Sequence, residues 1–272
     1  MVLSTLIAWR LGLSFSLLLA LIAAEMLWPR RERALQRSRR WPGNLGIGLV
    51  GAAAVRFCVP LAAVGVAVLA GEKGWGLFQV LHLPALLTIP LSLLLLDLAI
   101  YAQHRLFHAV PLLWRVHRMH HSDLDLDATS ALRFHPIELI LSMLIKMAAV
   151  LALGAPPVAV VLFEIILNAT AEFNHANLAL PRGLDRALRM VLVTPDMHRV
   201  HHSVRRAETD SNFGFNLPWW DRLFGTYRAE PAEGHERMTL GLDDFREARD
   251  SGLLRLLRQP FLRLRNRARA GE

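Results

Sequence analysis

Apolar residues form long runs in the first two thirds of the chain, and charged residues interrupt these runs only rarely. The first run covers residues 6–27, with Arg10 and Glu25 near its two ends. As a helix it is long enough to cross the ~30 Å hydrocarbon core of a bilayer. Because positively charged loops stay in the cytoplasm, the arginines that follow this run place its C-terminal end inside. These arginines are Arg30, Arg31, Arg33, Arg37, Arg39 and Arg40.

Two further apolar runs predict a second and a third membrane span. Residues 45–70 are interrupted by Arg56, which is costly at mid-bilayer unless it reaches the headgroups or faces protein. The pattern therefore leaves the ends of the second span open. Residues 83–102 contain a single charged residue, Asp97, and predict a third span that runs from outside to inside.

Two shorter apolar segments, 137–153 and 158–171, are joined by a Gly-Ala-Pro-Pro turn at residues 154–157. Each segment is short for a membrane span, so together they predict a helical hairpin that either crosses the bilayer or re-enters it. In both cases the chain returns to the side that it left. We therefore expect the polar residues between His104 and His202 to share one face, the cytoplasmic one.

This pattern predicts an all-α integral membrane helical bundle with about three spans and one hairpin, as a single domain over residues 1–272. Within it we expect N-terminal spans at 1–103 and a helical, histidine-rich cytoplasmic cap at 104–230. The cap region includes the apolar hairpin at 137–171. A basic tail follows at 231–272.

Composition supports a membrane protein with a basic face. Hydrophobic residues make up 53% of the chain, charged residues only 20%, and the formal net charge is +8. The single cysteine, Cys58, excludes a disulfide framework and any cysteine-ligated zinc or iron–sulfur site. In the tail, residues 253–269 mix leucines with arginines. That mixture suits either an anionic membrane surface or an amphipathic helix packed on the core.

Histidine is the residue type that points to chemistry. Offsets of three and four residues return side chains to the same face of a helix, so a cluster with this spacing aims its imidazoles at one point. Such an arrangement is typical of metal ligands. Three clusters have this spacing: His104-x-x-x-His108, His117-x-x-His120-His121 and His198-x-x-His201-His202.

The number of imidazoles implies two metal ions, because it exceeds what one tetrahedral or octahedral ion binds. Imidazole binds Zn, Cu, Fe and Ni alike, and spacing does not choose among them. No His-Glu-x-x-His motif occurs, which excludes the common zinc protease arrangement. Two other interpretations stay open: a divalent-metal transporter, with ligands at mid-span, and a di-haem electron carrier, with paired axial histidines in the bilayer.

Seven short motifs follow one another along the second half of the chain. They are His104-Arg-Leu-Phe-His108, His117-Arg-Met-His120-His121-Ser122, Arg133-Phe-His135-Pro136-Ile-Glu138, Asn174-His175, Pro195-Asp-Met-His198-Arg-Val-His201-His202-Ser203, Asn212-Phe-Gly214 and Trp220-Asp221-Arg-Leu-Phe-Gly225-Thr-Tyr227. As an ordered set they closely resemble the fatty acid hydroxylase superfamily, also called the sterol desaturase family, over roughly residues 85–230.

The resemblance implies an integral membrane di-iron oxygenase that hydroxylates or desaturates a fatty acyl or sterol-like lipid with O2. Electrons would come from an external partner, a ferredoxin or a cytochrome b5-like protein, and no nucleic acid is expected to bind. A bacterial inner membrane is the expected location. Carried over residue by residue, the resemblance implies as iron ligands His104, His108, His117, His120, His121, His198, His201 and His202, with His175 as a ninth. His135 is either a tenth ligand or a donor behind a ligand.

Metal-bound imidazoles usually donate their second N–H to a carboxylate or a carbonyl. Asp97 lies two helical turns before His104, with Tyr101 between them, and a carboxylate in a membrane helix is expensive unless it is paired. We therefore expect Asp97 to orient His104. Weaker candidates for such a role are Glu138, Glu164, Asn168, Glu172, Asn174, Asn177 and Asp196.

Overall fold

Helices account for nearly all regular secondary structure in the computed structural model, which describes residues 2–264. Within this range the strand-like contacts are isolated bridges, Pro29 with Leu178 and Ser203 with Leu240, so the predicted all-α class is confirmed. The α-helices are α1 (Val2–Leu27), α2 (Arg37–Cys58), α3 (Ala62–Lys73), α4 (Leu77–Val80), α5 (Ala85–Ala109), α6 (Pro111–His121), α7 (Pro136–Leu153), α8 (Pro157–His175), α9 (Arg182–Leu188), α10 (Pro195–His201), α11 (Arg206–Thr209), α12 (Trp219–Leu223), α13 (Gly234–Arg237) and α14 (Leu253–Arg258). Short 3₁₀ helices occupy Ala128–Leu132, Ala248–Ser251 and Gln259–Phe261.

The helices long and apolar enough to cross a membrane coincide with the predicted apolar runs. They are Arg37–Val80, Ala85–Ala109, Pro136–Leu153 and Pro157–His175. In α1 the described apolar part, Gly12–Leu27, is shorter. Large side chains on the outer surface are strongly exposed, among them Leu49 at 73%, Phe57 at 84% and Leu86 at 84%. An apolar outer surface of this kind fits a hydrocarbon environment, as the predicted membrane bundle requires.

The second predicted span, 45–70, is divided between two helices. α2 ends at Cys58 and α3 begins at Ala62, with Pro60 between them. Proline lacks the N–H of a helical hydrogen bond and disfavours the helical conformation of the residue before it, so the break lies where the sequence requires it. α2 packs on α7, and α3 packs on both α7 and α8.

The third predicted span, 83–102, ends too early. α5 continues to Ala109 and carries His104 and His108 in its last two turns. The first histidine cluster therefore lies inside the end of a spanning helix, whereas the sequence placed it beyond that end. Hydropathy stops at the first polar residues, but the backbone stays helical until just before Pro111.

The predicted hairpin is confirmed as α7 and α8. Gly154 ends α7 with φ 67°, a left-handed conformation that glycine adopts at no steric cost, and Pro157 opens α8. α8 then packs against α1, α3, α5 and α10. Its Val160 and Phe163 are fully buried beside Val150 of α7. α8 is therefore a central helix of the core, and it ends at His175.

The described part of the C-terminal tail packs on the core, as one of its two alternatives predicts. Leu256 of α14 is fully buried against Ile47 of α2 and Met119 of α6. On the opposite side, Leu254 and Phe261 are 70% and 65% exposed. The tail residues after 264, which belong to the same predicted amphipathic pattern, lie outside the described residues.

Candidate metal centre

Nine buried histidines from α5, α6, α8 and α10 converge in two adjacent groups. Within each group every histidine offers one ring nitrogen, and these atoms all lie within 4.8 Å of one another. The five-histidine group contains His104, His108, His117, His121 and His201, and the four-histidine group contains His120, His175, His198 and His202.

Helical spacing divides each His-x-x-His-His motif between the two groups. In α6, His117 and His121 are four residues apart and belong to the five-histidine group, whereas His120 belongs to the other. The motif at α10 is divided in the opposite way, because His198 and His202 belong to the four-histidine group and His201 belongs to the five-histidine group. Each motif thus serves both groups.

The two groups touch. The rings of His121 and His202 stack with centroids 4.5 Å apart, and those of His198 and His201 lie 5.3 Å apart. Each pair joins one histidine from each group. Ions held in the two groups would therefore be close neighbours.

Six of the nine grouped histidines form hydrogen bonds through Nδ1, which leaves their Nε2 atoms free for a metal ion. Nδ1 of His104 donates to the carbonyl oxygen of Phe213 at 2.8 Å, and Nδ1 of His117 donates to the Glu138 carboxylate. A neutral imidazole carries one proton, so both Nε2 atoms present lone pairs, yet they lie 3.1 Å apart. Facing lone pairs repel unless a cation lies between them. The residues therefore fit a bound metal ion.

Two carboxylates accept hydrogen bonds from the Nδ1 atoms of grouped histidines. Glu138 Oε1 lies 2.6 Å from Nδ1 of His117, and Asp210 Oδ1 lies 3.2 Å from Nδ1 of His108. A carboxylate that accepts the second N–H fixes the tautomer and makes the imidazole a better donor to a metal. Glu138 was one of the weaker sequence candidates, and Asp210 was not among them.

Burial keeps the imidazoles in the form that binds metals. Desolvation, followed by the neighbouring imidazoles, lowers the pKa of His120, His121 and His198 well below its usual value. These rings are neutral at neutral pH, as metal ligation requires.

Asp97 does not contact His104, contrary to the sequence expectation. Its Oδ2 accepts hydrogen bonds from Trp220 Nε1 at 2.8 Å and from the Leu217 backbone N–H at 3.3 Å. Two helical turns separate Asp97 from His104 by about 10 Å along the axis, which its short side chain does not cover. Tyr101 likewise turns to the loop and shares a hydrogen bond with Thr226.

That loop, residues 213–227, supplies a carbonyl group to the site. Phe213 accepts the hydrogen bond from His104, and Asn174 donates to the carbonyl oxygen of Phe215 at 2.7 Å. Asp97, Tyr101 and Asn174 thus hydrogen-bond to this segment.

His135 lies outside both groups. Its Nδ1 accepts a hydrogen bond from the Ile137 backbone and caps α7, and its Nε2 lies 3.3 Å from the carbonyl oxygen of Leu257. Both ring nitrogens are thereby occupied. Asp196 also lies apart from the grouped histidines and pairs with Arg199 and Arg30.

A buried ionic network behind the site was missed by the sequence analysis. Arg40, counted there with the cytoplasmic flank, is 0% exposed and pairs with Asp123 and Asp127 at 2.7 Å. Burial raises the pKa of Asp123, but the guanidiniums of Arg40 and Arg133 outweigh it and hold that pKa well below its usual range. The signal in the sequence was the alternation of Asp123, Asp125 and Asp127 directly after the second histidine cluster.

Arg133 connects this network to the histidines. Its Nε donates to the carbonyl oxygen of Met119, and its own carbonyl oxygen accepts the hydrogen bond from His120 Nδ1 at 3.2 Å. Ser130 holds His175 Nδ1 at 2.9 Å, and its backbone N–H donates to the carbonyl oxygen of Asp127. The network therefore positions two members of the four-histidine group.

One cavity reaches a histidine of the centre. It has a volume of about 250 Å³ and is lined by His108, Trp114, Arg206 and Asp210, among others. Trp114 lies against the rings of His108 and His121, with centroids 4.9 Å and 5.3 Å away.

An all-helical chain with helices long and apolar enough to span a membrane and two adjoining polyhistidine groups defines a class, the helical membrane proteins with a polyhistidine site. Within that class the chain belongs to the fatty acid hydroxylase family, whose profile matches residues 89–226, half of the chain. All nine grouped histidines lie in the matched segment.

Curated relatives match the same part of the chain. Ornithine lipid hydroxylase OlsE of Rhizobium tropici is 32% identical over 148 residues, covering 54% of this chain and 44% of the relative. Alkylglycerol monooxygenase of Homo sapiens is 33% identical over 147 residues, covering 54% of this chain and 31% of the relative. A very-long-chain aldehyde decarbonylase of Oryza sativa subsp. indica is 30% identical over 155 residues, covering 54% and 24%. The matches thus span less than half of each relative, and no solved structure matches the chain significantly.

Proposed function

We propose that the chain is a membrane-bound, O2-dependent, non-haem di-iron oxidoreductase that hydroxylates or desaturates a lipid. The observation that carries the proposal is the pair of adjoining histidine groups, in which six histidines are hydrogen-bonded through Nδ1 and the Nε2 lone pairs of His104 and His117 face one another. Membership of the fatty acid hydroxylase family supports it, as do relatives whose names describe lipid hydroxylation and alkylglycerol oxygenation.

The five-histidine group would hold one iron ion and the four-histidine group the other. When bound, the irons would supply the activation of O2 that oxidation of an unactivated C–H bond needs. We propose iron because zinc, which the same imidazoles also bind, has no redox chemistry.

The chain's own residues orient and insulate the centre. Glu138, Asp210 and the carbonyl groups of Phe213, Arg133 and Ser211 hold the imidazoles by their Nδ1 atoms. Because the nine histidines are buried, the centre is shielded from bulk water, which protects a reactive oxidant from side reactions. α5 and α8 carry grouped histidines at their C-terminal ends. A lipid tail would therefore meet the metal centre at the ends of these spanning helices.

The electrons would come from an external carrier, a ferredoxin or a cytochrome b5-like protein, because the sequence has no flavin, haem or iron–sulfur motif.

With the arginine cluster inside, the histidine centre would face the cytoplasm of a bacterial inner membrane. Tags inserted near Arg37 and after His202 should then both report the cytoplasm, and an outer location of either would contradict this orientation.

The transporter alternative is disfavoured by the charged residues inside the spans. Glu164 of α8 pairs with Lys146 at 3.0 Å and with Arg10 of α1, which forms an ion cluster and not a metal site. The histidines that could hold a metal lie at the ends of helices, away from mid-span.

Metal and product analysis test the proposal together. Purified protein should contain two iron ions per chain by elemental analysis and show no haem absorption band. Lipids from host cells that express the chain under ¹⁸O2 should carry the label in a hydroxylated lipid, or show a new double bond, and cells that express His201→Ala should not. Haem, or a redox-inert metal with unchanged lipids, would refute the proposal.

A further inference from the structure

A second cavity lies away from the grouped histidines, near the C-terminal end of the spanning helix α8. It has a volume of about 840 Å³, and its lining includes Ala179 and Leu180, which follow the end of α8 at His175 by a few residues. Next to it, Leu184 and Met190 are 48% and 61% exposed. A polar cavity beside exposed apolar side chains at the end of a span lies at the depth of lipid headgroups.

Four of the five acidic groups of the cavity pair with arginines, and the fifth, Glu230, contacts His235. Five arginines and five acidic residues line it. Arg30 and Arg189 of the lining pair with acids of the same lining, Asp196, Glu236 and Asp185. Two further cations from outside the wall pair with its acids: Arg199 with Asp196, and Arg205 with Glu233.

Three arginines of the lining are left without an acidic partner among the described residues: Arg182, Arg186 and Arg237. Two acids of the wall are balanced by cations outside it, so these three arginines face Glu230 as the one acid without an arginine partner, and the cavity carries surplus positive charge. Guanidinium groups bind phosphate and carboxylate through paired N–H donors, so this surplus favours an anionic ligand.

We propose that this cavity binds the anionic headgroup of a membrane lipid, a phosphate or a carboxylate, through Arg182, Arg186 and Arg237. Its volume lies within the range of small-molecule sites, roughly 300–1,000 Å³. Asp196 in its wall and His198 of the four-histidine group both belong to α10, so a lipid held here lies beside the metal centre. The binding does not depend on the oxidation chemistry, and a failure of the proposed oxygenase function would leave it standing.

A binding experiment on the full-length protein in detergent tests the site. The probes are dihexanoyl phosphatidic acid, dihexanoyl phosphatidylcholine and inorganic phosphate, measured by thermophoresis. Phosphatidic acid should bind more tightly than the other two. Arg186→Glu/Arg237→Glu should weaken its binding at least about tenfold, since each lost charged hydrogen bond costs about that factor.

The matched control is Arg255→Glu/Arg258→Glu, which reverses the same charge on exposed residues of α14, outside the cavity. It should bind phosphatidic acid within about twofold of wild type. Arg186→Gln/Arg237→Gln, checked for an unchanged melting temperature, should reproduce the loss without charge reversal. Unchanged binding by the cavity variants, an equal loss in the control, or phosphate binding as tight as that of phosphatidic acid would each overturn the proposal.

Discussion

Glu138, at the start of α7, accepts a hydrogen bond from Nδ1 of His117 in α6 over 2.6 Å. Both side chains are buried. The contact fixes the tautomer of His117 and turns its Nε2 toward His104 and His121, which lie 3.1 Å and 3.2 Å away. Of the two carboxylates that touch grouped histidines, Glu138 is the one that is fully shielded from water.

Replacement of this carboxylate tests its part in the site. Glu138→Gln keeps size and polarity but removes the charge that makes His117 a better donor, so we expect metal affinity or turnover to fall about 10–100-fold. Glu247→Gln is the control, because it makes the same substitution at an exposed residue that pairs with Arg249. Metal per chain and turnover are the measurements. Equal losses in both variants would contradict the assignment.

His120 and His201, which each belong to a different group from the other two histidines of their motif, give a second prediction. His120→Ala in α6 removes a member of the four-histidine group, and His201→Ala in α10 removes a member of the five-histidine group. Each variant should therefore lose metal from the group that its histidine joins, and not from the group that holds the other two histidines of its motif, and both should lose oxidation.

His82→Ala is the control for these variants, because His82 is exposed and far from both groups in sequence. Metal content per chain and lipid oxidation are measured side by side. His235, which the spacing analysis also left out of the clusters, is a poorer control because it is buried against Glu230 and Asp196. Wild-type metal content in His120→Ala and His201→Ala would refute the division into groups.

The buried network predicts a large loss of stability for Arg40→Ala. The substitution leaves Asp123 and Asp127 buried without a full countercharge, which typically costs ~3–5 kcal/mol. Arg39→Ala changes an exposed neighbour and should stay within ~0.5 kcal/mol of wild type. Denaturation of the detergent-solubilised protein compares the two. A similar, small effect of both variants would show that the network contributes little.

Stability of the metal-free protein should fall in acid. Burial lowers the folded-state pKa of His121 and His202 below the unfolded value, so the unfolded chain binds more protons as the pH falls below about 6.5. Proton binding then favours unfolding, and the melting temperature should be lower at pH 5 than at pH 8. Bound metal should resist this trend until the imidazoles protonate and release it. A melting temperature that rises on acidification would contradict the burial of neutral imidazoles.

The sequence by itself determined the helical class, the apolar runs and the histidines that share a helix face. These follow from local rules, because the period of a helix assigns His117 and His121 to one face, and hydropathy marks a membrane run without reference to the rest of the chain. The same rules missed the extension of α5 through His104 and His108, since hydropathy ends before the helix does.

Only the tertiary structure decided which faces meet. The division of the histidines into five and four depends on the crossing of α5, α6, α8 and α10, which no spacing along one helix specifies. Packing likewise places Glu138 in hydrogen-bond contact with His117, pairs Asp97 with Trp220 and buries Arg40 beside Asp123. The physical reason is that helical periodicity is a local property, which determines only the face of a helix on which a side chain lies. The partner of a polar side chain depends on the distance and angle between helices that are far apart in the sequence.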